Sequence, residues 1–235
     1  MKRKYLALDI ETVKVVPLDA SDWRLCRPLG ISCAATLTTG QDAPKVWHGG
    51  RNSERPTSRM QRGELSKLVG YLERLVEEGH TIVTWNGVGF DFDVLAEESG
   101  LVETCKRLAR SHVDMMFHIL CQLGYCISLG AVAKGMGLAG KAGGMTGADA
   151  PRLWAEGKRQ QVLRYVTQDA QTTLALAEMC ESERVLRWVA RSGRQRQMAL
   201  PKGWLPVILA QRLPEPITFW MTAPLSRQKF TAWLR

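Results

Sequence analysis

The chain has 235 residues, enough for one sizeable hydrophobic core and a small appendage. Its six cysteines and four histidines are scattered, which argues against a zinc site or a disulfide scaffold and predicts reduced thiols in a cytoplasmic protein. No stretch is long and apolar enough to span a membrane, so no membrane partner is expected. The net charge of +9 suits a polyanionic partner.

The first predicted element is a buried strand at residues 4–10, whose apolar run leads into Asp9 and Glu11. Residues i and i+2 of a strand point to the same face, so these acids project side by side while Ile10 turns into the core. Two neighbouring acids repel each other and are costly to desolvate. Either a cation neutralises the pair, or the strand end is wet and the acids are solvated.

Two further strands, at residues 31–36 and 45–48, continue the sheet as a meander. Residues 64–78 have the periodicity of a helix with leucines on one face. A fourth strand is predicted at residues 81–85.

After this strand, Asn86 and Gly87 predict a turn, and residues 88–100 predict a helix. Asp91 would lie in the first turn of that helix, near the end of the strand. Asp93 would point away from Asp91, and we interpret it as a solvated acid that suits the helix dipole.

Short helices are predicted at residues 103–110, 115–123 and 129–136, the last capped by Ser128. Asp114 is either an N-cap of the second of these helices or an extra active-site acid, and capping explains it more simply. The Gly-rich residues 135–147 miss the phosphate-binding P-loop pattern, because Ala142 has no hydroxyl, so an NTPase is excluded. Lys141 is either a phosphate contact in a substrate loop or a solvated lysine.

After a short helix starting at residues 149–151, a long helix is predicted at residues 158–180, running on to about residue 191. Tyr165 and Asp169 are four residues apart and therefore share a face of this helix. When no other motif accompanies it, a tyrosine four residues before an aspartate is most often a core tyrosine one turn from a surface acid. A functional role is favoured here because two stronger acidic motifs precede this one.

The last part of the chain, residues 191–235, differs in composition from the rest and is predicted to be a separate extension of a domain at residues 1–190. It has eight Lys and Arg against one acid, and the remaining residues carry 24 basic and 22 acidic residues. Its prolines forbid a long helix, and Trp204, Trp220 and Trp233 argue against disorder. We expect an extended segment packed on the body, ending in a helix capped by Ser226.

These three acidic motifs, in this order, resemble those of DEDD-type 3′–5′ exonucleases with a ribonuclease H-like fold. Asp9 and Glu11 match the first motif; Asn86, Phe90 and Asp91 match the second. The third is matched in its tyrosine form by Tyr165 and Asp169, since Arg164 stands where the histidine form needs a histidine. The resemblance spans residues 4–181 and is strongest to the domain related to the proofreading exonucleases of family B DNA polymerases.

The resemblance implies an α/β fold with a central mixed sheet flanked by helices, and a nuclease that releases 5′-mononucleotides from a 3′ end. In its site, the metals would be bound by Asp9, Glu11, Asp91 and Asp169. The attacking water or the scissile phosphate would be positioned by Tyr165. The substrate would be contacted by Thr12, Asn86, Phe90 and Lys141. Oxygen ligands without a His or Cys cluster favour two Mg²⁺ or Mn²⁺ ions over zinc. The expected partner is the 3′ end of a nucleic acid, with single-stranded DNA favoured.

Two alternatives remain open. One is a non-catalytic nucleic-acid-binding module that keeps the fold, although the intact acids count against it. The other is an exonuclease that acts on RNA, which the motifs do not distinguish from one that acts on DNA.

Overall fold

A five-stranded sheet, in the order β3-β2-β1-β4-β5, forms the centre of the protein. The computed structural model describes residues 3–17, 20, 22–50, 57–138 and 145–235. The predicted mixed sheet flanked by helices is confirmed. The strands of this sheet are β1 (Lys4–Thr12), β2 (Ile31–Thr38), β3 (Lys45–His48), β4 (His80–Thr84) and β5 (Val113–Asp114).

Helices cover both faces of the sheet, and β1 shows why. Leu6, Leu8 and Ile10 point into one hydrophobic core, whereas Tyr5 and Ala7 point into another. Because β1 is apolar on both faces, it is buried on both sides. The helices are α1 (Arg62–Glu77), α2 (Asp91–Ser99), α3 (Val102–Ser111), α4 (Met115–Leu123), α5 (Leu129–Gly135), α6 (Ala150–Ala155), α7 (Arg159–Glu183), α8 (Val207–Ala210) and α9 (Arg227–Thr231).

Strand direction determines where the acidic motifs meet. β4 pairs parallel to β1 and to β5, whereas β2 pairs antiparallel to β1. The carboxyl ends of β1, β4 and β5 therefore lie at one edge of the sheet. The residues that follow these three strands are brought to the same place, although they are far apart in sequence.

Two helix boundaries differ from the prediction. Helix α2 begins at Asp91 and not at residue 88, because Asn86 adopts a left-handed φ of 76° and the chain turns through residue 90. Helix α7 ends at Glu183 and does not run to residue 191, because Arg184 adopts a left-handed φ of 56°. An antiparallel hairpin follows, formed by β6 (Val185–Val189) and β7 (Gln195–Ala199).

The C-terminal residues pack on the body, as the composition predicted. Trp204 is fully buried in the core, and Leu234 is buried in the core on the opposite side of the sheet. Helix α9 is capped by the Ser226 side chain, which accepts a hydrogen bond from Gln228 N at 3.2 Å. The predicted division between residues 190 and 191 falls inside the β6–β7 hairpin.

Two expectations from the sequence concern the state of the cysteines and the presence of membrane-spanning helices. All six cysteines lie within the described ranges and are free thiols. Among the described residues, no helix is long and apolar enough to cross a membrane. Lys141 and most of the Gly-rich stretch around it lie outside the described residues.

Candidate active site

One cavity of about 330 Å³ gathers the acidic residues of all three motifs at the carboxyl edge of the sheet. It opens between the ends of β1 and β4, the start of α2 and one face of α7. Of the predicted site residues, it brings together Asp9, Glu11, Thr12, Asn86, Phe90, Asp91, Tyr165 and Asp169. Lys141 is the only predicted site residue that the described part of the chain does not include.

The first motif lies at the end of β1, where the predicted alternation holds. Ile10 is buried in the core, and Asp9 and Glu11 line the cavity on the opposite face. Glu11 lies opposite Cys33 of β2 in the antiparallel register. Burial raises the pKa of the Cys33 thiol, and the negative charges of Glu11 and Asp9 raise it further. The negative charges of Asp9 and Glu11 therefore lie beside a part of the core that is buried from solvent.

The second motif lies on the turn between β4 and α2 and places Asp91 against β1. The Asp91 carboxylate accepts a hydrogen bond from Ile10 N at 3.2 Å, which joins the second motif to the first. Asp91 is only 4% exposed. Burial raises the pKa of its carboxyl group, and the charge of Asp114 raises it further. A cation beside Asp91 would compensate this desolvation.

The turn depends on its glycines because other residues crowd it. A Cβ atom at Gly87 would lie 2.3 Å from Thr84 Oγ1, and one at Gly89 would lie 2.4 Å from Asn86 Oδ1. Asn86 tolerates its left-handed backbone better than most residues do. The Asn-Gly-x-Gly sequence therefore permits a tight turn that other side chains would open.

Asp114 holds this turn in place, a role that the sequence did not reveal. Its carboxylate accepts hydrogen bonds from Asn86 N at 3.0 Å and Val88 N at 2.9 Å. It also accepts one from Phe117 N at 2.9 Å, so the predicted N-cap of α4 is confirmed. Asp114 does not line the cavity of the three motifs. It acts on the site through the backbone of the second motif.

The third motif lies on α7, which packs against β1 and β2. Tyr165 and Asp169 are both buried and face the cavity. Burial raises the pKa of the Tyr165 phenol, and the charges of Asp169, Glu11 and Asp9 raise it further. A side-chain hydrogen bond also joins Tyr165 to Asp169. Tyr165 is therefore protonated at neutral pH and can donate a hydrogen bond.

The residues present fit hard divalent cations. The cavity offers carboxylate oxygens, which Mg²⁺ and Mn²⁺ prefer. Within the described ranges, no three His, Cys, Asp or Glu side chains form a ready cluster around a single point. Mg²⁺ usually takes one or two carboxylates and completes its shell with waters and substrate phosphates.

An aromatic wall beside the acids was also missed by the sequence analysis. A 3₁₀ helix at Trp23–Cys26 places Trp23 in the cavity, with its ring 4.9 Å from that of Phe90. The interpretation of Asp93 as a solvated acid is wrong. Asp93 is only 3% exposed and forms ion pairs with Arg24, at 2.9 Å, and Arg27. These ion pairs fix the 3₁₀ helix to α2.

The comparisons with known proteins agree with this geometry. The model of the RNase_H superfamily matches residues 51–181, more than half of the chain. The chain belongs to the RNase H superfamily. This result confirms the family and fold that the acidic motifs indicated, and it is consistent with a DEDD-type exonuclease. No curated protein matches this RNase H-like chain in sequence.

Two of the solved structures that are similar to this RNase H-like protein illustrate the likeness. One is the family B DNA polymerase from the archaeon Pyrobaculum calidifontis, with 21% identity, a TM-score of 0.54, and coverage of 76% of this chain and 24% of the polymerase. The protein thus spans about a quarter of the polymerase's length. At this identity the likeness is one of fold. The other is exonuclease I, with 14% identity and a TM-score of 0.40, covering 77% of this chain and 41% of that enzyme.

Proposed function

We propose that the protein is a metal-dependent 3′–5′ exonuclease that removes 5′-mononucleotides from the end of a single-stranded nucleic acid, with DNA favoured. The observation that carries the proposal is the meeting of Asp9, Glu11, Asp91 and Asp169 with Tyr165 in one cavity of an RNase H-like fold. The four acids and the tyrosine come from β1, α2 and α7, and gathering so many like charges in one place is costly unless cations neutralise them.

Each side chain then has a distinct task. Asp9, Glu11, Asp91 and Asp169 would hold two Mg²⁺ or Mn²⁺ ions, which when bound would lower the pKa of an attacking water and neutralise the leaving oxygen. Tyr165, protonated because its pKa is raised, would donate a hydrogen bond that orients the water or the scissile phosphate. Without cations the acids repel the phosphate backbone, so binding as well as cleavage should require the metal.

End-labelled digestion tests the reaction and its polarity. Linear oligonucleotides of DNA and RNA, single- and double-stranded, would be incubated with Mg²⁺, Mn²⁺ or a chelator. We expect a ladder of products from the 3′ end, release of 5′-mononucleotides, and no reaction with the chelator. The matched control is circular single-stranded DNA of the same sequence, which offers no end.

Each outcome has a defined meaning. Rapid cutting of the circle would show an endonuclease, and loss of label from the 5′ end alone would reverse the polarity. Binding without any cleavage would favour the non-catalytic module. Faster degradation of RNA than of DNA would replace the favoured substrate and keep the mechanism.

Replacing Tyr165 with phenylalanine should lower the single-turnover rate by about 10- to 100-fold, because one positioned donor is lost while the acids remain. The ring stays in its core position, so the melting temperature should change little. Tyr71→Phe is the matched control, since Tyr71 lies on α1 and does not line the cavity. An unchanged rate in Tyr165→Phe would make Tyr165 a packing residue.

The basic C-terminal segment should add to binding through its exposed arginines. Arg191, Arg194 and Arg196 lie exposed on the β6–β7 hairpin and its turn. Trp204 and Trp233 are anchors, one buried and the other donating its indole N–H to Val88 O, so of these three tryptophans Trp220 alone is exposed. The segment therefore combines a structural strap with a free basic surface.

Reversing Arg191, Arg194 and Arg196 to Glu should flatten the dependence of log K on log salt by roughly one to two units, given about 0.7 per phosphate for single strands. Binding would be measured in an Asp169→Ala background to prevent cleavage. An unchanged slope would show that these arginines face only water. Truncation after Ala190 is a stability control, because it removes buried residues and should lower the melting temperature whatever the arginines do.

A further inference from the structure

A second cavity of about 300 Å³ adjoins the candidate active site, and we name it the flanking cavity. Val16, Trp23 and Asn86 line both cavities. The opposite wall of the flanking cavity is C-terminal and includes Leu225, Lys229 and Phe230. No acidic motif accounts for this wall. The volume of the flanking cavity lies at the lower end of the range of about 300–1,000 Å³ that is usual for small-ligand sites.

The C-terminal wall is held in a defined place. The Trp233 indole donates to Val88 O at 2.7 Å, and Arg227 donates to Cys121 O at 2.6 Å. The Phe230 ring lies so close to the second motif that a Cβ atom at Gly89 would be 2.6 Å from it. The C-terminal helix is therefore fixed against the turn that carries Asn86 and Phe90, beside the site of the proposed reaction.

The chemistry of the flanking cavity suits a nucleobase. Trp23 and Phe230 provide aromatic surface from two parts of the chain, and Leu225 and Val16 add apolar surface. Lys229 is exposed and forms no ion pair with any described residue, so its charge is available to a phosphate. Asp22 also lines the cavity, but it accepts a hydrogen bond from Arg24 N and pairs with the Arg24 guanidinium at 3.5 Å.

We propose that the flanking cavity binds an unpaired base of the same strand whose 3′ end occupies the active site, with Phe230 as a stacking surface and Lys229 as a contact to the adjoining phosphate. The inference rests on the proposed exonuclease function and deepens it. Stacking on aromatic side chains tolerates any base, because every base has a π-face. The site would therefore favour a single strand over a paired end without reading sequence.

Abasic substitution locates the base that the cavity binds. Single-stranded oligonucleotides would carry one abasic position at each of the last few nucleotides in turn, and kcat and KM would be measured on the full-length protein. At one internal position the missing base should raise KM by about 5- to 100-fold, the equivalent of a lost stacking contact. The kcat value should change far less, because the reacting phosphate is unaltered.

Variants of α9 then assign that penalty to the cavity. In Phe230→Leu the penalty should fall to about twofold or less, because the stacking surface is already gone, whereas Phe230→Tyr should retain it. Lys229→Gln should raise KM for every oligonucleotide. Gln228→Ala, on the same helix but outside the cavity, is the matched control. Melting temperatures equal to that of the unmodified protein would show that α9 remains docked.

The proposal fails if no position shows a penalty, or if Phe230→Leu shows the same penalty as the unmodified protein. These results would leave 3′–5′ cleavage intact and so would not touch the proposed function. If the protein does not cleave, fluorescence anisotropy with the same oligonucleotides still measures the penalty as a ratio of dissociation constants. In that case a penalty removed by Phe230→Leu would support the binding site, and its absence would overturn it.

Discussion

Replacing Asp9 or Asp169 with alanine is expected to lower the rate of nucleotide release by about 10³-fold or more, because either change removes a carboxylate from the proposed two-metal site. The fold should survive. Asp9 lies at the end of β1 and Asp169 on α7, and both face the cavity and not the hydrophobic cores. Removing one negative charge also relieves repulsion among the remaining acids. The melting temperature of Asp9→Ala should therefore stay constant or rise. In Asp169→Ala the loss of the hydrogen bond with Tyr165 opposes this relief, so its melting temperature should change little.

The measurement is single-turnover digestion of a 3′-labelled strand in saturating Mg²⁺, with the melting temperature of each variant. Glu183→Ala is the matched control, because Glu183 lies at the end of the same helix as Asp169 and pairs with Arg187 on the surface. The control should cleave at the normal rate. Near-normal cleavage by Asp9→Ala or Asp169→Ala would overturn the assignment of the acids.

The sequence predicted the strands of the sheet, the two faces of β1 and two helix caps well, because each of these depends on residues close together in the chain. The alternation of Leu6, Leu8 and Ile10 with Asp9 and Glu11 defines the two faces of β1, and the structure has those faces. Ser128 and Ser226 were predicted as helix caps, and each makes its hydrogen bond. A cap involves only residues close in sequence, so short motifs are enough to identify it.

The predictions that were wrong concern contacts between distant parts of the chain. Asp93 was placed in solvent from its position on the helix, but Arg24 and Arg27 reach it from 69 and 66 residues earlier in the sequence. Trp23 has no helical or strand periodicity around it, so nothing in the local sequence predicted that it lines the cavity of the three motifs. The end of α7 at Glu183 depends on a left-handed backbone at Arg184, a residue type that does not signal a helix end.

Asp114 shows how a correct local prediction can miss a function. Its capping role was visible in the sequence because Phe117 N is three residues away, whereas its bonds to Asn86 N and Val88 N join residues 28 and 26 positions apart. The second motif therefore depends on a residue outside the motif. Capping and a role at the site are not alternatives here, because the one buried carboxylate of Asp114 both caps α4 and holds the backbone of the second motif.

Asp114→Ala should accordingly affect stability and activity together. It leaves three backbone N–H groups without their acceptor, and each unsatisfied buried donor costs about 1–3 kcal/mol. Relief of the repulsion between Asp114 and Asp91 offsets part of this loss. We expect the free energy of unfolding to fall by about 3 kcal/mol. We expect kcat to fall by about 100-fold, because a displacement of about 1 Å at a catalytic group has an effect of that size.

Ser128→Ala separates capping from support of the site. Ser128 caps α5 through a hydrogen bond from Ala131 N and does not contact the second motif. Its loss should cost about 1 kcal/mol of stability and leave kcat unchanged. Asp114→Asn, which keeps one acceptor oxygen, should fall between Asp114→Ala and the unmodified protein in both quantities. If Asp114→Ala behaves like Ser128→Ala, with a normal kcat and a normal Mg²⁺ requirement, Asp114 is only a helix cap. A lower kcat with a raised Mg²⁺ requirement would instead show that the turn held by Asp114 keeps Asp91 in position for the metal.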